Sequence, residues 1–368
     1  MIFPKLFIPG PTQVDAATLQ AMAQPQVGHR TAEFSELMER VVSGLQRVLN
    51  TTGRVFLFSN PATGLWEAVV RNSVKKGALN CVNGAFSAKW HTVTKACGLP
   101  CDVLEKDWGP STSFGPAVKP EDVDQALASG KFDVVTLVHN ETSTGVMSPL
   151  EDIAAMMAAK YPEVLLQVDA VSSMAGVEIK VDDWRLGTCF ASLQKAWGLP
   201  AGFTVCAVSE RAMERSREMT GKGYYFDFEV MDKFYSKMQT PSTPSLPHMF
   251  GLAKVLKDIE QETIAGRYAR HRELAAYARQ WALEHGQQLF PEPGYESVTM
   301  TAVRNVQEWP LQAIFEALEE RGYRMDRGYG KLAGQVFRVA HMGSVMMEDL
   351  KEYLNVFDQV LVTLEVAV

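Results

Sequence analysis

Between residues 31 and 180 the chain alternates short apolar runs with segments whose apolar positions recur every three to four residues. A short apolar run bounded by turn residues reads as a buried strand. The three-to-four spacing reads as a helix with one face on a core. Strands are therefore predicted over 55–58, 79–82, 103–104, 134–138 and 164–168, with helices over 63–75, 87–97, 121–128 and 150–160. A further strand is predicted over 203–208. The runs 134–138 and 164–168 are apolar almost throughout, interrupted only by Thr136 and Gln167. Strands apolar on both faces and separated by helices form a mostly parallel sheet covered by helices on both sides.

Near Ser245 the pattern changes. A mostly helical stretch is predicted over 246–288, with Gly266 a possible break and Arg267, Arg270, Arg272 and Glu273 on a solvated face. Beyond it the pattern predicts a strand over 297–303, a helix over 311–321, a strand over 336–340 and a helix over 347–364. The expected fold class is α/β: a large domain followed by a smaller C-terminal α+β domain. The expected division is an N-terminal arm over 1–15, a large domain over 16–250, and a linking helix with the small domain over 251–368. A length of 368 residues agrees with roughly two domains at ~150 residues each.

Composition narrows the class. Thirty-six basic against 43 acidic residues leave a net charge of −7, which disfavours a nucleic-acid partner. No stretch reaches the ~18 uninterrupted apolar residues of a membrane span. Residues 1–12 lack the apolar core of a signal peptide, so a cytoplasmic protein is expected. The five cysteines, Cys81, Cys97, Cys101, Cys189 and Cys206, sit mostly in apolar surroundings and read as reduced, buried thiols. Cys97 and Cys101 have no second pair to complete a zinc site, and no metal is expected.

In open α/β sheets ligands sit beyond the carboxyl ends of the strands, so the loops there are where chemistry belongs. Four carry unusual residues. Ser59–Gly64 is a small-residue turn leading straight into a helix, which makes an anion site; Thr63 as a plain helix cap is the alternative. His139–Gly145 places a row of hydrogen-bonding side chains after a buried strand. Asp169 ends an apolar strand, where a carboxylate needs a cation or several donors, or serves as a turn cap. Lys195 lies among small and apolar residues. A desolvated lysine loses pKa and becomes a nucleophile, unless it snorkels to solvent.

Together these give an anion cradle, a buried aspartate and an activated lysine on one sheet. Pyridoxal 5′-phosphate asks for that set: a lysine for its aldehyde, an acid for its pyridine nitrogen and a helix N-terminus for its phosphate. The chain resembles the class V aminotransferases among the fold-type I pyridoxal-phosphate enzymes, and within them the alanine–glyoxylate and serine–pyruvate aminotransferases. The resemblance rests on Pro9-Gly10-Pro11-Thr12, Asn83-Gly84-Ala85-Phe86, Glu141-Thr142-Ser143-Thr144-Gly145-Val146, Val168-Asp169-Ala170-Val171-Ser172-Ser173, Ser192-Leu193-Gln194-Lys195-Ala196 and Phe337-Arg338-Val339. In this order these motifs span nearly the whole chain.

The resemblance implies that Lys195 carries the cofactor and moves the substrate proton, and that Asp169 pairs with the pyridine nitrogen. It implies that Phe86 stacks on the ring, that Thr142 bonds near its ring oxygen, and that Ala62, Thr63, Gly64 and Gln194 hold the phosphate. Arg338 would hold the substrate α-carboxylate, a task that suits a guanidinium fork. Ser242, Thr243 and Ser245 lie in a segment that reaches a neighbouring subunit's phosphate, which implies a homodimer with shared sites. Arg30 is a candidate for a second substrate anion or for a structural ion pair. Tyr224 and Tyr225 are candidates for the entrance. The expected reaction moves the amino group of serine or alanine to glyoxylate or pyruvate by a ping-pong mechanism. A phosphoserine or aminoalkylphosphonate aminotransferase is the alternative, with Arg30 and Arg327 as the added anion site. A lyase such as a cysteine desulfurase, and a non-catalytic subunit, are the remaining readings.

Overall fold

The computed structural model describes residues 3–366, so the outermost ends of the expected arm and small domain, 1–2 and 367–368, lie outside it. Its main sheet has seven strands in the spatial order Arg54–Phe58, Thr204–Val208, Thr188–Ser192, Leu165–Asp169, Val134–Val138, Ala78–Val82 and Cys101–Glu105. Thr204–Val208 runs antiparallel to both of its neighbours, and the other pairings are parallel. Arg54–Phe58 therefore points the same way as the parallel group. The carboxyl ends of six strands thus share one edge, and the loops that begin at 59, 83, 139, 170 and 193 all emerge there.

Successive strand residues face opposite sides of the sheet. Val55 and Leu57 pack with the helices Ala32–Leu49, Pro120–Leu127, Leu150–Lys160 and Leu246–Glu262. Phe56 and Phe58 pack on the other side with Ala62–Ser73, Ala85–Ala96, Glu210–Glu218 and Phe228–Tyr235. A second, antiparallel sheet of Gln288–Leu289, Met300–Arg304 and Val336–Ala340 packs against Ile264–Glu284, Leu311–Glu320 and Met347–Thr363. Among the described residues no helix is long and apolar enough to cross a membrane, and no group of three or more His, Cys, Asp or Glu is placed to hold a metal.

Several elements differ from the pattern. Thr188–Ser192 is a central strand absent from the predicted set. Its sequence TCFAS carries little β-branched character, and burial by its neighbours decides its state. The helix Ala32–Leu49 is also absent from that set, although its buried residues Phe34, Leu37, Met38, Val41, Val42, Leu45, Val48 and Leu49 follow helical spacing. The long helical stretch breaks at Thr263 (φ +67°) rather than at Gly266. The Thr263 hydroxyl accepts from the Gly266 N–H at 3.0 Å and starts the second helix. Leu246–Glu262 belongs to the first core, and the chain passes to the second core along Ile264–Glu284, so residue 250 lies inside a helix of the first core. The N-terminal arm is not free-standing. Lys5–Leu6 pairs with Tyr323–Arg324, and Phe7 stacks on Tyr353 with ring centroids 4.0 Å apart.

Candidate active site

A cleft of about 500 Å³ opens at the carboxyl edge of the main sheet. Its walls carry Ala62, Thr63, Phe86, Thr142, Asp169, Gln194 and Lys195 from the predicted set, together with Trp66 and Asn140. A wider cleft of about 1030 Å³ lies beside Arg304 and Trp309, and none of these groups lines it.

The anion cradle is the start of the helix Ala62–Ser73. Pro61 occupies the cap position and no side chain caps the helix, so Thr63 is not the cap. Gly64 N–H closes a turn onto Pro61 O at 2.9 Å, and the N–H groups of Ala62 and Thr63 have no acceptor among the described residues. Free N–H groups at a helix start form a site for an anion. Gly64 is fixed by crowding, since a Cβ there would run into the Asn60 amide and the Phe226 ring. Gln194 lines the cleft while its Oε1 accepts from Ser192 Oγ at 2.5 Å.

Lys195 follows the strand Thr188–Ser192 and is buried, and burial pushes its ammonium down to about 7. The charge of Arg338 pushes the same way, while Asp169, Asp326 and Glu141 oppose it. Its Nζ donates to Pro9 O. The N-terminal arm clasps the same residue: Thr12 N–H donates to Gln194 O at 3.0 Å and Thr12 Oγ1 to Lys195 O at 3.1 Å. Gly10 packs so close that a Cβ would stand 2.7 Å from Lys195 Cδ and Cε.

Asp169 is buried at the end of its strand. Desolvation raises its pKa to about 6, against the pull of hydrogen bonds from Val171 N–H and Trp66. Val171 N–H donates to Oδ1 at 2.9 Å and Trp66 Nε1 to Oδ2 at 2.6 Å. Trp66 was not among the predicted residues. Its signal in the sequence is its spacing, one helical turn after the cradle. Glu141 belongs to the 139–145 loop and to the motif 141–146, but no role was predicted for it. Its fully buried carboxylate accepts from Ser87 N–H (2.8 Å) and Oγ (2.9 Å) and from Ser143 N–H (3.0 Å) and Oγ (2.7 Å), so it ties the loop carrying Thr142 to the helix carrying Phe86. A carboxylate taken out of water needs such donors in its place. Phe86 N–H adds a longer contact at 3.3 Å. His139 is buried beside Ser173 and pushed down to about 4, so it is neutral at pH 7.

Thr142 Oγ1 pairs with Ser172 Oγ at 2.5 Å, and its carbonyl accepts from Arg338 Nη1 at 2.8 Å. Arg338 therefore stands directly behind the cleft wall. Phe86 stacks on Tyr329 at 5.1 Å, and Lys195 Nζ lies 5.7 Å from the Phe86 ring centre.

The remaining predicted residues lie off the cleft. Arg30 donates to Thr240 O (2.6 Å) and Pro241 O (3.3 Å) and covers the Phe234 ring. Tyr225 OH accepts from Ser59 N–H at 3.0 Å and so braces the cradle loop, while Tyr224 is exposed. Ser245 N–H donates to Ser59 Oγ at 3.0 Å and its hydroxyl pairs with His248 at 2.7 Å. Ser242 and Thr243 are exposed.

These residues fit pyridoxal phosphate by their own chemistry. Two free N–H groups suit a phosphate, a buried carboxylate suits a pyridinium, and a lysine neutral near pH 7 suits an aldehyde. Asn140 Oδ1, on the cleft wall, is a buried acceptor without a partner among the described residues. The fold and this set define a pyridoxal-phosphate enzyme of fold type I. The chain matches the family described as aminotransferase class-V over residues 6–341, and it belongs to that family. It is 31% identical over 353 residues to the serine–glyoxylate aminotransferase of Methylorubrum extorquens (92% of this chain, 86% of that protein). It is 32% identical over 346 residues to the L-aspartate–glyoxylate aminotransferase of Paracoccus denitrificans (92% and 86%). The crystal structure of the alanine–glyoxylate aminotransferase of Nostoc sp. superimposes with a TM-score of 0.89 at 28% identity, covering 98% of this chain and 96% of that one. The protein is a pyridoxal-phosphate-dependent aminotransferase.

Proposed function

We propose that this enzyme transfers the amino group of a small neutral amino acid, serine or alanine, to glyoxylate or pyruvate. The observation that carries this reading is the cleft itself: Lys195 and Asp169 are buried together beside two unpaired helix N–H groups, with Arg338 behind Thr142. When bound, pyridoxal phosphate supplies an aldehyde that takes up the amino group and a ring that accepts electrons. Ala62 and Thr63 hold the phosphate through their N–H groups, with Gly64 keeping the turn tight and Gln194 beside it. Asp169 holds the pyridine nitrogen and Phe86 flanks the ring. Lys195 would take the proton from the donor's α-carbon. Burial that brings its pKa to about 7 matches it to that task at neutral pH. Arg338 binds the α-carboxylate through paired N–H groups.

The donor follows from charge. A phosphorylated or dicarboxylic donor needs a second cation near its side chain. Arg30 is engaged with the carbonyls of Thr240 and Pro241, and Arg327 covers the Phe315 ring at 4.4 Å. The serine and alanine activities in the names of two relatives agree with a neutral donor, while the aspartate activity of a third makes aspartate the donor to test against. A cysteine lyase is disfavoured because Cys81, Cys189 and Cys206 are buried. Cys97 follows the helix whose first turn carries Phe86, roughly 16 Å along its axis.

We further infer an active homodimer in the cytoplasm. Its support is the exposed Ser242 and Thr243, whose segment Arg30 and Ser59 pin at the rim of the cradle. Ser242 and Thr243 are then the hydroxyls free, among the described residues, to meet a neighbour's phosphate, since that of Ser245 is taken by His248. The test is turnover with glyoxylate and a panel of donors, read as glycine formed. Serine or alanine should exceed aspartate and phosphoserine by at least about tenfold in kcat/KM. A preference for either anionic donor overturns the reading.

A further inference from the structure

Arg338 already has most of its guanidinium in use. Its Nε donates to Asp326 Oδ1 at 2.6 Å and its Nη2 to Asp326 Oδ2 at 2.6 Å, and Nη1 donates to Thr142 O at 2.8 Å. Both side chains are withdrawn from water, at 4% and 17% exposure. Asp326 is itself held. Its Oδ1 accepts from Gly328 N–H at 2.9 Å, and its backbone carbonyl accepts from Arg338 N–H at 3.2 Å across an isolated antiparallel bridge. The ring of Tyr329 lies 5.9 Å from the guanidinium carbon and stacks on Phe86.

A guanidinium has five N–H groups. Three are accounted for, and the two that remain sit one on Nη1 and one on Nη2. Two free N–H groups on neighbouring nitrogens are what paired hydrogen bonds to a carboxylate require. We infer that Asp326 is a positioning residue for the substrate carboxylate: it fixes the plane of Arg338 so that this remaining pair faces the cleft. The inference rests on the reading of Arg338 given above. Asp326 also offsets the charge of Arg338, so the site selects a carboxylate by directed N–H groups more than by net charge. A fork already fixed loses little freedom when its ligand arrives. No sequence motif marks Asp326, which lies twelve residues before Arg338 and meets it only because a turn folds back onto the strand Val336–Ala340.

The test uses the holoenzyme and two amines, L-serine and ethanolamine, which is serine without its carboxylate. Dissociation constants come from the change in cofactor absorption as each is titrated into the parent, Asp326→Asn, Arg338→Lys and the double variant. In Asp326→Asn one oxygen becomes a donor facing Nη2, and the fork is released. Serine should bind about tenfold more weakly, while ethanolamine and the cofactor itself stay within about twofold. In the Arg338→Lys background the same change should add less than about twofold, because it acts through Arg338. Unchanged or tighter serine binding in Asp326→Asn, with Arg338→Lys still damaging, overturns the inference and leaves Arg338 as the carboxylate site. Equal weakening of serine and ethanolamine also overturns it, since that reports general damage. If Arg338→Lys binds serine as the parent does, the reading of Arg338 fails. Should Asp326→Asn not fold, Asp326→Glu keeps the charge but shifts the fork, and the same loss confined to serine is expected.

Discussion

Trp66 Nε1 donates to Asp169 Oδ2 at 2.6 Å, so the indole of the cradle helix holds the acid at the floor of the cleft. The bond favours the carboxylate against a burial that raises its pKa to about 6. Trp66→Phe keeps the ring and removes the donor. The protonated acid then gains, and its pKa rises further. The acid limb of kcat/KM against pH should move to higher pH, with roughly tenfold lower activity near pH 6. An acid limb that stays in place contradicts this role. Asp169→Asn is the stronger form of the same test: cofactor is retained, and α-proton removal slows by at least about 100-fold.

Lys195 gives a pH dependence with a definite sign. In the proposed role its neutral amine would be the nucleophile toward the cofactor, and burial brings its pKa to about 7. Uptake of pyridoxal phosphate by the cofactor-free protein should accelerate as pH rises through about 7 and level off above it. An ordinary lysine would keep accelerating toward ~10. Stability follows the same group. Between about pH 7 and ~10 the unfolded chain binds the proton that the folded chain does not, so the cofactor-free protein gains stability from this residue as pH rises. Stopped-flow absorbance across pH 5.5–9 tests the rate, and a midpoint above about 9 contradicts the buried amine.

Gly10 tests the clasp of the N-terminal arm. A methyl group there would stand 2.7 Å from Lys195 Cδ and Cε, and the residue sits at φ +127°, a conformation that side chains disfavour. Gly10→Ala should lower cofactor affinity by more than about tenfold while circular dichroism remains that of the parent. Parent-like uptake of the cofactor would show that the arm is free to move aside.

The sequence made the frame of this site legible because each part of it depends on local chemistry. A continuous apolar run such as 134–138 states that it is a buried strand, and a lysine among small residues after such runs is conspicuous. The helix start after Pro61 was readable from the small-residue turn, though the detail of Thr63 as a cap was not, since that depends on where the first helical residue falls. Thr188–Ser192 was hidden because its strand state comes from neighbours brought in from positions 165 and 204. The partners of Glu141 and Asp326 were hidden for the same reason, and the spacing that marks Trp66 does not reveal its partner. Each acts through a partner distant in sequence, Asp169, Ser87 or Arg338, and a single sequence carries no sign of such a pairing. Arg30 illustrates the converse. Its charge drew notice, and the carbonyls of Thr240 and Pro241 account for it.

The most direct measurement is a half-reaction scan. The holoenzyme is mixed with single amino acids without any keto acid, and the yellow absorption of the bound cofactor is followed, with Lys195→Ala as the control. Serine or alanine should discharge the band, glyoxylate should restore it, and Lys195→Ala should do neither at a measurable rate. Discharge by phosphoserine or aspartate alone would contradict a neutral-donor site, and an enzyme that acquires no yellow band when given the cofactor would contradict the role of Lys195 itself.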